Sequence, residues 1–346
     1  MVSLLPAVVL AIAFVYGITI GSFLNVAIWR LPRGGSVATP TWSYCPSCEH
    51  RLGTVDLVPV FSFLLLGARC RYCRKSISWR YPSIELLTGL LFLAVAAKFG
   101  QSWDTVFNCL FVAGLICVFF IDLEHFIIPD GLNLLCVLIG VAHNVTTIAF
   151  HESGAWGRMF GIVLPSSIKG MLVYASLIYG IGWIAYAILV GLVGRKKTFV
   201  KAATEYVVEN FLDWAYLLVY YTGKVIPAVA RYAEPPMPLE AVSAQEIVDD
   251  DEAGGMGGGD GKLAAGIGAN IGWAHALQSS VFALFVGVVY GVFVLVKQKR
   301  AFGSRTPVPF GPAMVVGALI AMFFGPQIVT WYIGHYWTFP GSPFYQ

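Results

Sequence analysis

The chain of 346 residues is 58% hydrophobic and only 12% charged, and its mean hydropathy is +0.74. A soluble domain carries about 25% charged residues, so this composition excludes a soluble protein and predicts a polytopic membrane protein. The net charge of +3 is small and no nucleic-acid-binding motif is present, so nucleic acid is not an expected partner.

Apolar runs near the ~20 residues that cross a bilayer predict an all-α protein with about eight transmembrane helices. The predicted spans are residues 4–29, 82–98, 105–121, 127–150, 170–194, 262–276, 279–296 and 309–334. The sixth is short and rich in glycine, so we expect it among other helices, where small residues allow close packing. The first lacks a basic leader, and we expect a retained helix rather than a cleaved signal peptide.

The distribution of basic residues predicts the orientation of these spans. Nineteen of the 22 Lys and Arg residues fall within residues 30–80, 195–262 and 297–305. With eight spans, all three regions lie on one side of the membrane. Basic loops face the cytoplasm, so both ends of the chain are expected outside.

Four cysteines between the first two spans form two Cys-x-x-Cys pairs, Cys45 with Cys48 and Cys70 with Cys73. Two such pairs supply four thiolates to one tetrahedral ion, and a reducing cytoplasm disfavours disulfides. Residues 30–81 are therefore predicted to form a small zinc-ribbon-like domain with a structural Zn²⁺. Free or redox-active dithiols are the alternative.

Two segments of the predicted cytoplasmic side are not expected to cross the membrane. The apolar stretch 55–66 between the cysteine pairs is too short for a span and is expected to pack on the membrane face or on the ribbon. Within the insert 195–259, residues 199–232 mix aromatic and charged side chains and are expected along the surface. Residues 234–259 are rich in Pro, Gly and acids and predict a mobile linker.

Two aspartates stand at the edges of predicted spans. Asp122 follows the third apolar run, and Asp260 follows a glycine run and opens the sixth. Carboxylates at such boundaries are usually paired, hydrated or functional, and two that meet can share one proton and perform acid–base chemistry. The glycines before Asp260 are expected to let an extended backbone approach. Two unrelated helix-edge aspartates are the simpler alternative.

These features occur together with several short motifs, and in this order the set resembles the type IV prepilin peptidases, members of the GxGD class of membrane aspartic proteases. The pieces are Gly21–Val26 with Arg30-Leu31-Pro32, the paired Cys-x-x-Cys motifs, residues 77–82, Glu85–Gly89, Asp122 with Pro129-Asp130, Gly257-x-Gly259-Asp260-x-Lys262, and Pro309–Pro312.

The resemblance implies an enzyme of the bacterial inner membrane with its active site facing the cytoplasm. It would cleave the leader peptide of type IV prepilin or pseudopilin precursors, of pili or type II secretion, and methylate the new amino terminus with S-adenosylmethionine. Asp122 and Asp260 match the family's two catalytic aspartates. Asp130 and Glu85 match other family positions without an assigned role. The roughly 60 residues between the fifth span and the GxGD motif depart from the family pattern.

The expected organisation is a first helix (1–29), the four-cysteine domain (30–81), helices two to five (82–194), the insert (195–259) and the GxGD segment with the last helices (260–346). The expected partners are prepilin-like precursors and membrane lipid. Two other functions are consistent with the residues alone. The boundary aspartates would suit an ion or proton transporter, and the chain would also suit an inactive zinc-containing membrane scaffold.

Overall fold

The computed structural model describes residues 4–149, 156–159, 162–192, 258–297 and 308–336. These residues form α1 (Leu4–Arg30), the short α2 (Phe61–Leu65), α3 (Arg80–Phe99), α4 (Trp103–His125), α5 (Asp130–Ala149), β1 (Trp156–Met159), β2 (Ile162–Pro165), α6 (Ser166–Leu192), α7 (Gly258–Lys297) and α8 (Gly311–Tyr336). The two strands form an antiparallel hairpin. The predictions for residues 199–232 and 234–257 lie outside the described residues.

Six of these helices, namely α1, α3, α4, α5, α7 and α8, are long and apolar enough to cross a membrane. The 27-residue α6 corresponds to the fifth predicted span. The prediction of an all-α polytopic membrane protein with a four-cysteine domain between its first two spans is therefore confirmed.

The 40-residue α7 is broken at Gly272, whose φ of 73° and ψ of 169° are not helical. Only glycine adopts this backbone conformation readily. The break divides α7 into a first limb, residues 258–271, and a second limb, residues 273–297. The predicted sixth and seventh spans correspond to these two limbs, which separate at Gly272 rather than at residues 277–278.

The first limb runs parallel to α5. At its start, Nζ of Lys262 lies 3.0 Å from Oδ1 of Asp130 at the start of α5. Further along, Nδ2 of Asn270 donates a hydrogen bond to the carbonyl oxygen of Cys136 at 2.8 Å. Both helices therefore advance in the same direction from the same end of the bundle.

The second limb runs antiparallel to α8. Gly287 lies against Phe310, just before α8 begins, whereas the earlier Ser279 lies against Gly317, further along α8. Because α5 and α8 both begin at the end of α4 that carries Asp122, the two limbs of α7 run in opposite directions. The chain therefore returns to the end where α7 began.

The bundle is organised around α4, which contacts α1, α3, α5 and α8. Phe111, Leu115 and Ile121 of this helix are completely buried. Between α6 and the first limb, Gly170 and Gly268 bring the two backbones into direct contact, and a Cβ on either would overlap the other. Small residues thus set the closest helix approach in the part of the chain that carries Asp260.

Candidate active site and metal centre

Asp122 lies in the last turn of α4, and the residue is only 5% exposed. The helix ends at His125. The next residue, Phe126, adopts the left-handed conformation, and its N–H donates a hydrogen bond to the carbonyl oxygen of Asp122. The side chain of Asp122 accepts a hydrogen bond at 2.9 Å from the backbone N–H of Gly311. Gly311 begins α8, and the free N–H groups and dipole of a helix start stabilise a carboxylate.

Only glycine fits at position 311, because a larger residue would overlap its neighbours. A Cβ there would stand 2.5 Å from Oδ2 of Asp122 and 3.2 Å from Cδ1 of Ile128. A side chain would therefore displace the carboxylate from the helix start.

Asp260 lies in the first turn of α7 and is 8% exposed. Its neighbour Gly259 packs on Ile128, whose Cβ lies 3.3 Å from the position of a Cβ on Gly259. Ile128 therefore packs against both Gly259, the neighbour of Asp260, and Gly311, which donates a hydrogen bond to Asp122. The structure brings the two predicted aspartates to the same end of the bundle, around one isoleucine.

The glycines next to Asp260 lie in a helix. Gly258, Gly259 and Gly261 belong to the first turn of α7. The missing side chain of Gly259 allows this turn to pack closely on Ile128.

Two further carboxylates have partners that the sequence did not reveal. Asp130 pairs with Lys262, which is 6% exposed, and the pair joins α5 to the first limb. Glu85, on α3, accepts a hydrogen bond at 2.7 Å from the N–H of Val60 in the four-cysteine domain. In the sequence, each of these carboxylates could be noticed only as a charge at the edge of a predicted span. Their partners, Lys262 and Val60, are set by the fold.

Two buried carboxylates in one region have a defined chemical capacity. Two carboxylates close enough to interact do not ionise easily together, so one retains a proton while the other is a base. Their apparent pKa values then belong to the pair. Such a pair can activate a water with one member and polarise a carbonyl with the other.

The four predicted cysteines converge. All four Sγ atoms lie within 4.8 Å of one another, and Sγ of Cys45 is 3.9 Å from Sγ of Cys73. A tetrahedral Zn²⁺ with Zn–S bonds of ~2.3 Å places its sulfurs about 3.8 Å apart. The donor set and its spacing therefore fit a zinc ion.

The two cysteine pairs are built alike. Each lies inside a short antiparallel bridge, Tyr44 with Arg51 and Arg69 with Ser76. In each, the residue after the second cysteine has a positive φ, 57° at Glu49 and 59° at Arg74. These tight turns direct both thiols of each pair to one side, as zinc knuckles require.

The backbone of the first knuckle also favours a thiolate. Burial of Cys45 opposes its ionisation, but hydrogen bonds from the backbone N–H groups of Ser47 and Cys48 outweigh it and lower the pKa to about 7. A thiolate is the form that binds metal.

A cavity of about 550 Å³ lies between this domain and the adjacent ends of α1 and α3. Polar groups of Asn25, Arg30, Glu85 and Glu124 line it beside Trp29. Its volume falls in the range of small-molecule sites. The cavity reaches Glu124, two residues after Asp122.

Comparison with known proteins matches most of the chain. The family model of the Bacterial Peptidase A24 N-terminal domain matches residues 15–99, and that of the Type IV leader peptidase family matches residues 109–292. A Prepilin leader peptidase/N-methyltransferase of Aeromonas hydrophila is 29% identical over an alignment of 359 residues, gaps included, which covers 96% of each chain.

Two other relatives carry related names. The Prepilin leader peptidase/N-methyltransferase of Bacillus subtilis is 28% identical and covers 94% of this chain and 98% of its own. The Type 4 prepilin-like proteins leader peptide-processing enzyme of Escherichia coli is 33% identical over 210 residues, which cover 56% of this chain and 72% of its own. No solved structure is significantly similar.

The resemblance inferred from the short motifs is thereby confirmed. The two family models follow one another along the chain in the order in which its motifs occur. Because the second model alone spans more than half of the residues, the chain belongs to the Type IV leader peptidase family.

Proposed function

We propose that the protein is a membrane aspartic endopeptidase that removes the leader peptide of prepilin-like precursors and methylates the new amino terminus. The observation that carries the peptidase activity is the placement of two buried carboxylates, Asp122 and Asp260, at one end of the bundle around Ile128. The names of the relatives give the substrate class. The distribution of Lys and Arg along the sequence favours a cytoplasmic orientation of the active site.

In this mechanism one carboxylate of the pair is ionised and the other is protonated. The ionised member takes a proton from a water that attacks the scissile carbonyl carbon. The protonated member donates its proton to the carbonyl oxygen. The first member, now protonated by the water, gives that proton to the leaving amine, while the second takes a proton back from the tetrahedral intermediate. Acid–base assistance of this kind contributes roughly 10²–10⁴-fold.

The backbone N–H of Gly311 contacts one of these carboxylates directly. It donates to Oδ2 of Asp122, and a hydrogen bond to the charged form favours that form. This hydrogen bond therefore favours the charged form of Asp122.

S-adenosylmethionine, when bound, would supply an electrophilic methyl group for the free amine that cleavage leaves. The 550 Å³ cavity beside the four-cysteine domain has the volume for such a ligand, and its polar lining includes Asn25 and the carboxylate of Glu85. The cavity extends to Glu124, close in sequence to Asp122. This position would let the new amino terminus move from cleavage to methylation without leaving the enzyme.

Cys45, Cys48, Cys70 and Cys73 would hold one structural Zn²⁺. The support is the convergence of their sulfurs within 4.8 Å and the tetrahedral spacing between the two knuckles. A domain of this size has little hydrophobic core, so a metal would supply much of its folding free energy.

The peptidase activity is tested with purified Asp122→Asn and Asp260→Asn variants and a prepilin-like precursor. An amide fills the volume of the carboxylate but cannot act as the base, so leader cleavage should be lost while the thermal unfolding temperature changes little. Asp104→Asn is the matched control because Asp104 lies at the opposite end of α4, where it contacts His143. Near-normal cleavage by either site variant would contradict the assignment, and product mass also reports methylation.

The metal centre is tested by elemental analysis of the purified protein. One zinc per chain is expected in the wild type and none in Cys45→Ser. Cys109→Ser is the control, since Cys109 lies within α4 and outside the cluster. A wild type without zinc, purified without chelators, would contradict the site.

A further inference from the structure

The four-cysteine domain exposes a continuous apolar segment, residues 55–66, which we call the apolar tip. It includes α2 and separates the two knuckles. Its exposed members are Val55, Leu57, Val58, Phe61, Leu64 and Leu65, and Leu65 is 85% exposed. A small domain rarely leaves several neighbouring large apolar side chains in water, and such a patch marks an interaction surface.

A strained residue fixes the apolar tip to the membrane-spanning part of the protein. Val60 adopts a φ of 62° and a ψ of −50°, a conformation that is a genuine outlier for a β-branched residue. Its N–H donates at 2.7 Å to Oε2 of Glu85 on α3, and Glu85 is 8% exposed. Strain of this kind persists only where surrounding contacts hold it, so the position of the tip against α3 is specified.

The contact with Glu85 also sets the level of the tip relative to the bilayer. Glu85 lies five residues after Arg80, where α3 begins, which is about 7.5 Å along the helix axis. Trp79, just before α3, packs edge-on against Phe63 of the tip with ring centroids 4.8 Å apart. Trp79 is 67% exposed, and tryptophan is enriched at the membrane interface.

The surroundings of the tip are positively charged. Eight Lys and Arg residues and only two acidic residues, Glu49 and Asp56, lie between positions 30 and 80. Arg69, Arg74 and Lys75, on the second knuckle, are exposed. Basic groups beside an apolar surface complement anionic lipid headgroups.

We propose that the apolar tip inserts into the headgroup–acyl boundary of a bilayer that contains anionic lipid, with Phe61, Leu64 and Leu65 as the inserted side chains. Leu86 and Leu90, further along α3, are exposed large apolar side chains as well. The domain is thus held at two points, by its connections to α1 and α3 and by lipid contact at the tip. This inference does not depend on the proposed catalytic activity.

The test places the photoreactive residue benzoylphenylalanine at Leu65 in the full-length protein, in nanodiscs of phosphatidylglycerol and phosphatidylethanolamine. Irradiation is followed by mass spectrometry of the peptides. Lipid adducts are expected at Leu65 at several times the yield obtained with the same residue at Glu49, an exposed position on the first knuckle. Equal yields at the two positions, or adducts to a second copy of the chain in place of lipid, would overturn the proposal.

A second measurement does not rely on a substituted residue. Hydrogen exchange of the backbone amides of residues 61–66 is compared in nanodiscs of phosphatidylglycerol and of neutral phosphatidylcholine. Slower exchange with the anionic lipid is expected for these amides, with no change for α4. Identical exchange in both lipids would contradict the electrostatic part of the proposal. Protection that appears only when a prepilin-like precursor is added would assign the tip to substrate instead.

Discussion

Nζ of Lys262 lies 3.0 Å from Oδ1 of Asp130, and this ion pair joins the start of the first limb of α7 to the start of α5. The lysine is buried, whereas the side chain of Asp130 is 33% exposed. The pair holds the turn that carries Asp260. Loss of the ion pair is therefore expected to displace the carboxylate of Asp260 as well as to lower the stability of the protein.

We predict that Lys262→Met lowers the rate of leader cleavage by about 10²-fold, because a displacement of ~1 Å at a reacting group has that effect. Asp130→Asn should have a smaller effect, since the amide oxygen still accepts a hydrogen bond from Lys262. Initial rates of both purified variants provide the measurement. A wild-type rate for Lys262→Met would show that the pair does not position Asp260.

Gly311→Ala should abolish cleavage with a small change in unfolding temperature, because the new Cβ would stand 2.5 Å from Oδ2 of Asp122. Gly291→Ala is the matched control in the second limb of α7, since no atom lies within 4 Å of a Cβ there. The control should retain cleavage. Equal activity of the two variants would contradict the contact between Gly311 and Asp122.

Gly170→Ala should destabilise the packing of α6 on α7, because its Cβ would overlap the backbone at Gly268. Overpacking of this kind costs typically ~1–3 kcal/mol. Gly180→Ala on the same helix meets open space and should have little effect. Thermal unfolding in detergent compares the two, and equal unfolding temperatures would argue against the close approach.

Lys98 compensates for a missing hydrogen bond in α8. Pro326 has no N–H to bond the carbonyl oxygen of Met322 one turn earlier, and Nζ of Lys98 donates to that oxygen and to the one of Phe323. Lys98→Met should lower stability by ~0.5–1.5 kcal/mol. In a Pro326→Ala background the loss should shrink, and an undiminished loss in unfolding experiments would reject the compensation.

Asp56 predicts a pH-dependent stability of the four-cysteine domain. Burial opposes its ionisation, but hydrogen bonds from Arg71, the N–H of Gly53 and Tyr72 outweigh it and hold the pKa below its ordinary value. The stabilisation should be complete above the unfolded-state pKa of about 3.9 and should be lost as pH falls through the lower folded-state pKa.

This dependence is measured by the unfolding temperatures of the wild type and Asp56→Asn from pH 7 downwards. Their difference should stay constant above about pH 4 and then decrease, because protonation gives the wild type a neutral side chain as well. A difference that grows on acidification would have the wrong sign.

The helical, membrane-spanning character was predictable because the length of an apolar run follows from bilayer thickness. The break within α7 was placed at residues 277–278, between the sixth and seventh predicted spans. In the structure they lie inside the second limb, where Oγ of Ser279 is 3.1 Å from Oη of Tyr174. A buried polar side chain with a partner on another helix cannot be distinguished from a loop residue by hydropathy.

The candidate aspartates could be selected from their positions at span edges, but their surroundings could not. The pairing of Lys262 with Asp130 requires that α5 and the first limb run in the same direction, which the fold determines. The contact of Gly259 with Ile128 likewise depends on how α7 begins. The glycines before Asp260 were noticed in the sequence, but the helical start of α7 at Gly258 was not visible there.

The break at Gly272 limits the first limb to residues 258–271, a helix of about 21 Å. The hydrocarbon layer of a typical bilayer is about 30 Å thick, so this limb is shorter than the layer by about 9 Å. Asp260 and Gly272 therefore cannot both reach a membrane surface unless the lipid around α7 is compressed. Hydrophobic mismatch costs fractions of a kcal/mol per Å. The acyl-chain length of the surrounding lipid, which sets the thickness of the layer, is therefore expected to affect the position of the limb that carries Asp260.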